Sequence, residues 1–231
     1  YSRVIYSEAD FNNGTFGRYY IGKEGYVHRI PDAITSEDAA PLQCAGATVY
    51  SALVGTVKPR DRVGVIGIGG LGHLAIQFAA KMGAEVVVFS SSADKEGEAR
   101  SFGAKEFVLI NEPEKVSAPV ETLVLTSSYH PDWDKYATKK VLARDGTIIP
   151  LTVPPHGPLS LPAHTFFWEV YHLKSSLVAS KADHRDMLEF AARHDIKALT
   201  QKYKLEGPET IDKIFKDIQS NKVRYRAVLE L

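Results

Sequence analysis

Short apolar runs rich in β-branched residues alternate along the chain with stretches whose apolar positions recur at helical spacing. In the clearest example, an apolar run at 63–66 ends in the turn GIGGLG at 67–72, and apolar residues then recur every three or four positions as far as Met82. A second β-branched run follows at 86–89. This pattern predicts a strand, a tight turn, a helix and a second strand.

The same alternation continues through the rest of the chain. It predicts helices over 94–102, 132–142 and 184–194, a last helix that begins at Pro208, and strands at 106–110, 122–126, 146–151, 173–179 and 224–229. Strands that alternate with helices at this pitch are typical of an α/β fold with a doubly wound parallel sheet. Ligands bind at the carboxyl ends of the strands in such a sheet.

The first turn carries the G-x-G-x-x-G spacing at Gly67, Gly69 and Gly72. The first glycine permits a sharp exit from the strand, the second lets a pyrophosphate approach the backbone, and the third lets the helix lie close to the strand. The helix N-terminus supplies N–H groups and a partial positive charge to an anion. We therefore expect dinucleotide binding here, with Gly70 and Leu71 also at the pyrophosphate. A glycine-rich turn without a ligand is the alternative.

The end of the second predicted strand bears on which dinucleotide binds. An NAD site usually has Asp or Glu about 20 residues beyond the glycines, whereas the 2′-phosphate of NADP needs neutral or cationic groups. Ser90, Ser91 and Ser92 occupy this place, with Lys95 a turn later and Asp94 close by. Hydroxyls can donate to phosphate oxygens and a lysine can neutralise their charge, so the sequence favours NADP(H) over NAD(H). A polar loop is the alternative.

Polar residues at the ends of later strands are further candidates for ligand binding. Thr126 and Ser127 end the fourth predicted strand, and Thr152 follows the fifth. Arg226 lies in the closing strand, where an arginine can bind phosphate through its fork of donors. From the residues alone, a structural salt bridge is an equally good interpretation of Arg226.

Residue types that bind metals are sparse. Cys44 is the only cysteine, so the sequence holds no internal disulfide and no cysteine-rich zinc cluster, and a small buried thiol is the simplest interpretation of Cys44. The eight histidines are scattered. His73 directly follows the glycine turn, and we predict that it is a solvated residue of the helix.

Composition excludes several classes of protein. The chain has 231 residues, of which 44% are hydrophobic and 24% charged, as in an ordinary globular protein. Lys plus Arg and Asp plus Glu both count 28, so nothing indicates nucleic acid or a membrane surface as a partner. A lone cysteine fits a reducing compartment such as the cytoplasm. Because the chain begins at Tyr1 rather than Met, we expect residues upstream.

Five segments in this order resemble the zinc-dependent medium-chain alcohol dehydrogenases, above all their NADP-using, cinnamyl-alcohol-dehydrogenase-like branch. The segments are RIPD at 29–32, AAPLQCAGATVYSAL at 39–53, the turn at 67–72, the serines at 90–92 and VRYR at 223–226. The resemblance covers nearly the whole chain but only the C-terminal two thirds of such an enzyme. It implies NADP-dependent interconversion of an alcohol and an aldehyde or ketone, with a small-molecule substrate and a homodimer as the assembly.

The resemblance also implies a division into domains. Residues 1–44 would be the remnant of a GroES-like catalytic domain, residues 45–175 an inserted Rossmann-type dinucleotide-binding domain, and residues 176–231 the C-terminal part of the catalytic domain. The implied fold class is an α/β doubly wound parallel sheet inserted in an incomplete GroES-like domain.

Individual residues acquire roles from the same resemblance. Cys44 falls on a catalytic zinc ligand, Thr48 lies near the nicotinamide, and Arg226 pairs with the cofactor pyrophosphate. Thr152 and Ser176 lie in stretches that hold the nicotinamide. The family's other zinc ligands lie upstream of Tyr1, so zinc is implied only if those ligands exist. The alternatives are a zinc-free NADP-binding module, a non-redox catalyst derived from this family, or a zinc-free reductase of the same superfamily.

Overall fold

A computed structural model of the chain describes residues 24–152 and 159–230. Within them, strands form a six-stranded sheet and a separate two-stranded sheet. The first sheet contains β1 Arg62–Ile66, β2 Glu85–Ser90, β3 Ala104–Leu109, β4 Val120–Leu125, β5 Leu142–Pro150 and β6 His172–Leu173, and the second contains β7 Thr200–Lys204 and β8 Arg226–Glu230.

The large sheet has the strand order β3-β2-β1-β4-β5-β6, and each neighbouring pair is parallel. This arrangement confirms the predicted doubly wound α/β sheet. Strand order reverses at β1, which pairs with β2 on one side and β4 on the other. The carboxyl ends of β1 and β4 lie side by side, with Ile66 opposite Leu125. A crevice at such a reversal point is where ligands bind in this kind of sheet.

Helices precede, separate and follow the strands of the large sheet. They are α1 Ser36–Pro41, α2 Ala47–Leu53, α3 Gly72–Lys81, α4 Glu96–Ser101, α5 Trp133–Tyr136, α6 Ala163–Glu169, α7 Lys181–His194 and α8 Pro208–Gln219. A π-helical segment, Leu42–Gly46, joins the first two. None of the helices in the described ranges is long and apolar enough to cross a membrane.

Both faces of the large sheet are buried. Along β2, Val86 and Val88 belong to a core cluster that includes residues of α2, α3 and α7, whereas Val87 and Phe89 belong to a second cluster around Trp133. Side chains alternate between the faces because successive strand residues point in opposite directions. A central parallel strand therefore needs an unbroken apolar run, which is the pattern in the sequence.

Three elements differ from the prediction. The helix expected over 132–142 ends at Tyr136, because Leu142 already pairs with Val120 at the start of β5. The strand expected over 173–179 comprises only His172–Leu173. The third difference is β7, a strand of mostly polar residues that the pattern did not predict and that pairs in parallel with β8.

Candidate functional site

The glycine turn occupies the carboxyl end of β1 and leads directly into α3. Gly67 has φ of +94°, and a Cβ there would lie 3.0 Å from the Ser127 backbone. A Cβ on Gly72 would lie 2.0 Å from the Gly67 carbonyl oxygen and 2.8 Å from the Thr126 hydroxyl. Glycine is therefore required at both positions, and α3 begins in direct contact with the turn.

Gly69 is different, because nothing crowds it. No heavy atom lies within 4 Å of the place where its Cβ would stand, apart from its chain neighbours. The N–H groups of Gly69, Gly70 and Leu71 donate no hydrogen bond to any of the described residues. Three donors in a row, at the start of a helix of ten residues, can bind an anion such as a phosphate.

Side chains donate hydrogen bonds to the carbonyl groups of the turn. The carbonyl oxygens of residues 68, 69 and 70 each accept a hydrogen bond from a side chain. The donors are, in that order, Lys95 Nζ at 3.1 Å, His73 Nδ1 at 2.8 Å and Arg226 Nε at 3.1 Å. Arg226 comes from β8, so the turn is tied to an element far along the chain.

The prediction that His73 is solvated is wrong. Its side chain is completely buried, with Nδ1 bonded to Gly69 and Nε2 accepting the backbone N–H of Leu199 at 3.2 Å. The imidazole stacks on the Tyr225 ring at a centroid separation of 5.0 Å. Burial lowers the pKa of His73 to about 4. Helical periodicity did not identify this position because its outer neighbours come from distant parts of the sequence.

The three serines at the end of β2 are not equivalent. Ser90 is buried, and its hydroxyl lies 3.4 Å from the backbone N of Ser92. Ser91 is exposed. The Ser92 hydroxyl donates to the Asp94 carboxylate. A negative charge is thus bonded to one of the serines predicted to bind the 2′-phosphate.

Hydroxyl groups link the carboxyl ends of β1, β4 and β5. The Thr126 hydroxyl donates to the backbone carbonyls of residues 66 and 67, at 3.0 and 2.8 Å. The Thr152 hydroxyl donates to the Ser127 carbonyl at 2.6 Å. Ser176 is half-buried in the segment after β6. The structure thus brings Thr126, Ser127 and Thr152 together beside the glycine turn. Their contact with a cofactor, and that of Ser176, stays a prediction.

Cys44 and Thr48 lie one helical turn apart at the junction of the π-helical segment and α2. Thr48 is buried, but Cys44 is exposed, so the interpretation of Cys44 as a buried thiol is wrong. Burial lowers the pKa of Arg226, and an electrostatic interaction with Cys44 partly opposes that shift. Cys44 therefore lies near Arg226 and, through it, near the glycine turn.

The described residues by themselves do not fit a zinc ion. They contain no group of three His, Cys, Asp or Glu side chains that could hold a metal. A catalytic zinc needs about three protein ligands and an open position. The described residues therefore do not complete a zinc site around the candidate ligand Cys44, and no chemical step is derived through zinc.

The chain has a parallel sheet whose strand order reverses at β1, and a glycine turn with three available N–H donors. These features define a protein of the dinucleotide-binding α/β class. The family model described as "Zinc-binding dehydrogenase" matches residues 70–193, which is more than half of the chain. The chain belongs to this zinc-binding dehydrogenase family, which confirms the resemblance found in its sequence.

Two relatives illustrate the similarity. The chain is 35% identical over 234 residues to a protein named probable formaldehyde dehydrogenase AdhA from Bacillus subtilis, a match that covers 98% of this chain and 65% of the relative. It is 32% identical over 222 residues to NADP-dependent alcohol dehydrogenase C 1 from Mycolicibacterium smegmatis, covering 94% of this chain and 62% of the relative. The chain thus spans somewhat less than two thirds of these relatives.

Solved structures give the same result. A cinnamyl alcohol dehydrogenase from Sorghum bicolor superimposes with a TM-score of 0.79 at 30% identity, covering 87% of this chain and 57% of that one. The cinnamyl alcohol dehydrogenase of Helicobacter pylori, solved as a complex with NADP(H), superimposes with a TM-score of 0.77 at 29% identity, covering 89% and 58%.

Proposed function

We propose that this chain is an NADP-dependent oxidoreductase that interconverts an alcohol and an aldehyde or ketone by hydride transfer. The observation that carries the proposal is the row of three N–H donors at Gly69, Gly70 and Leu71, with open space at Gly69 and the Arg226 guanidinium against Gly70. The names of relatives support both the cofactor and the substrate class, since one is an NADP-dependent alcohol dehydrogenase and one structure contains NADP(H).

The pyrophosphate would lie on these three N–H groups, at the positive end of the α3 dipole. The half-buried guanidinium of Arg226, whose Nε already binds the Gly70 carbonyl, adds a positive charge beside the turn. Bound NADP(H) supplies the hydride donor or acceptor. The chain's own residues bind the dinucleotide and fix its orientation relative to the substrate.

The 2′-phosphate would lie beyond the end of β2. Ser91 is exposed there and its hydroxyl can donate to a phosphate oxygen. Lys95 lies close enough to the turn to bind the Ile68 carbonyl, and its charge would offset that of the phosphate. Ser92 and the buried Ser90 complete the predicted set, although Asp94 competes for the Ser92 proton.

The nicotinamide end of the cofactor would face Thr48, Thr152 and Ser176. Thr126 and Ser127 would support the nicotinamide position by holding the carboxyl ends of β1, β4 and β5 together. Cys44 would provide one zinc ligand if further ligands come from outside the described residues. The domain division at 1–44, 45–175 and 176–231 is part of the same proposal.

We also propose that the protein is a cytoplasmic homodimer. Large exposed apolar side chains flank the edge strand β6 in the sequence, including Phe167 and Leu177, each 74% exposed, and Trp168, 59% exposed. An open strand edge next to apolar surface favours pairing with a second copy. The single cysteine supports a reducing compartment.

Titration of the chain with NADPH tests the cofactor assignment. Gly69→Ala adds a methyl group where the pyrophosphate would lie, and we expect NADPH affinity to fall at least about tenfold with the melting temperature unchanged. Gly97→Ala is the matched control, since Gly97 is an exposed helical glycine whose Cβ also meets nothing within 4 Å. Equal NADPH affinity of the two variants would contradict the assignment.

Hydride transfer is tested separately by mixing the chain with NADPH and a set of aldehydes and ketones, with zinc present, and following NADPH absorbance. The proposal predicts that NADPH is oxidised only when an aldehyde or ketone is present. Tight NADPH binding without any turnover would favour the alternative, a zinc-free NADP-binding module or a non-redox catalyst.

A further inference from the structure

The three side-chain bonds to the glycine turn control which way its peptide groups face. In a trans peptide the C=O and the following N–H point in opposite directions. The carbonyls of residues 68, 69 and 70 accept side-chain bonds from Lys95, His73 and Arg226, and the Gly69 carbonyl also accepts the backbone N–H of His73 at 3.2 Å. Each of the N–H groups of residues 69, 70 and 71 therefore points away from the donor that bonds its own peptide group.

His73 differs from the other two donors in its rigidity. Lys95 and Arg226 are each only half-buried. The His73 ring is completely buried and is held at both nitrogens, by Gly69 and by Leu199. Its face is stacked on Tyr225, the residue next to Arg226.

The hydrogen-bond partners also determine which ring nitrogen of His73 carries the proton. A carbonyl oxygen can only accept, so Nδ1 must donate to Gly69, and a backbone N–H can only donate, so Nε2 must accept from Leu199. The ring is therefore neutral and carries its proton on Nδ1. This tautomer places a permanent donor on the middle carbonyl of the turn.

We propose that His73 is a positioning residue that orients the pyrophosphate-binding N–H groups of the turn and couples them to the segment that carries Arg226. This inference rests on the proposed function, because it concerns how the same site recognises a pyrophosphate. His73 does not touch the cofactor. It acts through Gly69 by holding one peptide group in the orientation that a pyrophosphate needs.

The test compares two amide substitutions that each keep one half of the imidazole's bonding. The amide nitrogen of His73→Asn can occupy the Nδ1 position and donate to Gly69, whereas the longer amide of His73→Gln reaches the Nε2 position near Leu199. Gln77→Leu is the matched control, since Gln77 lies one turn later on α3 and bonds the Lys197 carbonyl at 2.8 Å without touching the turn.

Two probes separate pyrophosphate recognition from folding. We would measure the affinity of the full chain for 2′-phospho-ADP-ribose, which carries a pyrophosphate, and for adenosine 2′-monophosphate, which does not. In His73→Gln the ratio of the two affinities should fall about tenfold. In His73→Asn and Gln77→Leu it should stay within about twofold of wild type.

Each other outcome has a definite meaning. Loss of affinity for both probes by the same factor in His73→Gln, or equal ratios in the Asn and Gln variants, would overturn the positioning role and leave the proposed function intact. A folded wild-type chain that binds neither probe would overturn the proposed function and this inference together.

Discussion

The buried ring of His73 should make the stability of the folded chain depend on pH. The pKa of His73 is lowered from an ordinary value of 6.5 to about 4, chiefly by burial; the bond to Gly69 and the charge of Glu98 oppose the shift, and the charge of Arg226 adds to it. Between these pH values the unfolded chain binds a proton at His73 and the folded chain does not. The free energy of unfolding therefore falls as the solution becomes more acidic.

The size of the effect follows from the two pKa values. They differ by about 2.5, and a difference of one is worth about 1.4 kcal/mol. His73 should therefore remove about 3 kcal/mol of stability as the pH falls from about 6.5 to about 4. His73→Gln lacks the titrating ring. It should be less stable than wild type at neutral pH, because the Gly69 carbonyl loses its side-chain donor and keeps only the backbone N–H of residue 73, but it should not share this acid sensitivity.

Urea unfolding at a series of pH values, followed by tryptophan fluorescence, measures the effect. The unfolding free energy of wild type minus that of His73→Gln should fall by about 3 kcal/mol between neutral pH and about pH 4. Gln77→Leu should run parallel to wild type. His28 and His184 also have lowered pKa values, mainly through burial, but they are present in all three proteins and cancel. Parallel curves for wild type and His73→Gln would refute the reasoning.

Three further substitutions test the glycine turn and the cofactor preference. Gly72→Ala should cost about 3 kcal/mol or more of stability, because its Cβ would lie 2.0 Å from the Gly67 carbonyl oxygen; a melting temperature equal to wild type would contradict the packing. Ser91→Asp should shift preference from NADPH towards NADH by about tenfold in the ratio of affinities, and an unchanged ratio would count against the 2′-phosphate assignment. Asp94→Asn removes a carboxylate that accepts from Ser92, so NADPH should bind about fivefold more tightly while NADH affinity stays the same. Titration calorimetry with both cofactors measures these last two effects.

Local pattern was enough to predict the central part of the fold. The run at 63–66, the turn after it and the helical spacing to Met82 describe one β-strand, one tight turn and one helix, and each step depends on residues near in sequence. The same holds for α8, which begins at Pro208 as predicted.

Distant contacts explain what the pattern missed. His73 looked solvated because its outer neighbours, Leu199 and Tyr225, lie more than 120 positions away. The polar strand β7 exists because β8 offers it a partner. Similarly, Leu142 lies in β5 rather than in the predicted helix because it pairs with Val120. In each case tertiary pairing outweighs local preference.

The candidate site was predictable in its glycines but not in its polar contacts. Spacing alone identified Gly67, Gly69 and Gly72, because their roles are steric. It could not indicate that Asp94 accepts a hydrogen bond from Ser92, since that depends on the path of the chain after β2.

Diffraction from crystals of the full chain grown with NADPH would test the central claim most directly. The account predicts density for the pyrophosphate within hydrogen-bond distance of the Gly69, Gly70 and Leu71 N–H groups, with the 2′-phosphate at Ser91. Density for NADPH elsewhere on the molecule, with the glycine turn empty, would contradict it.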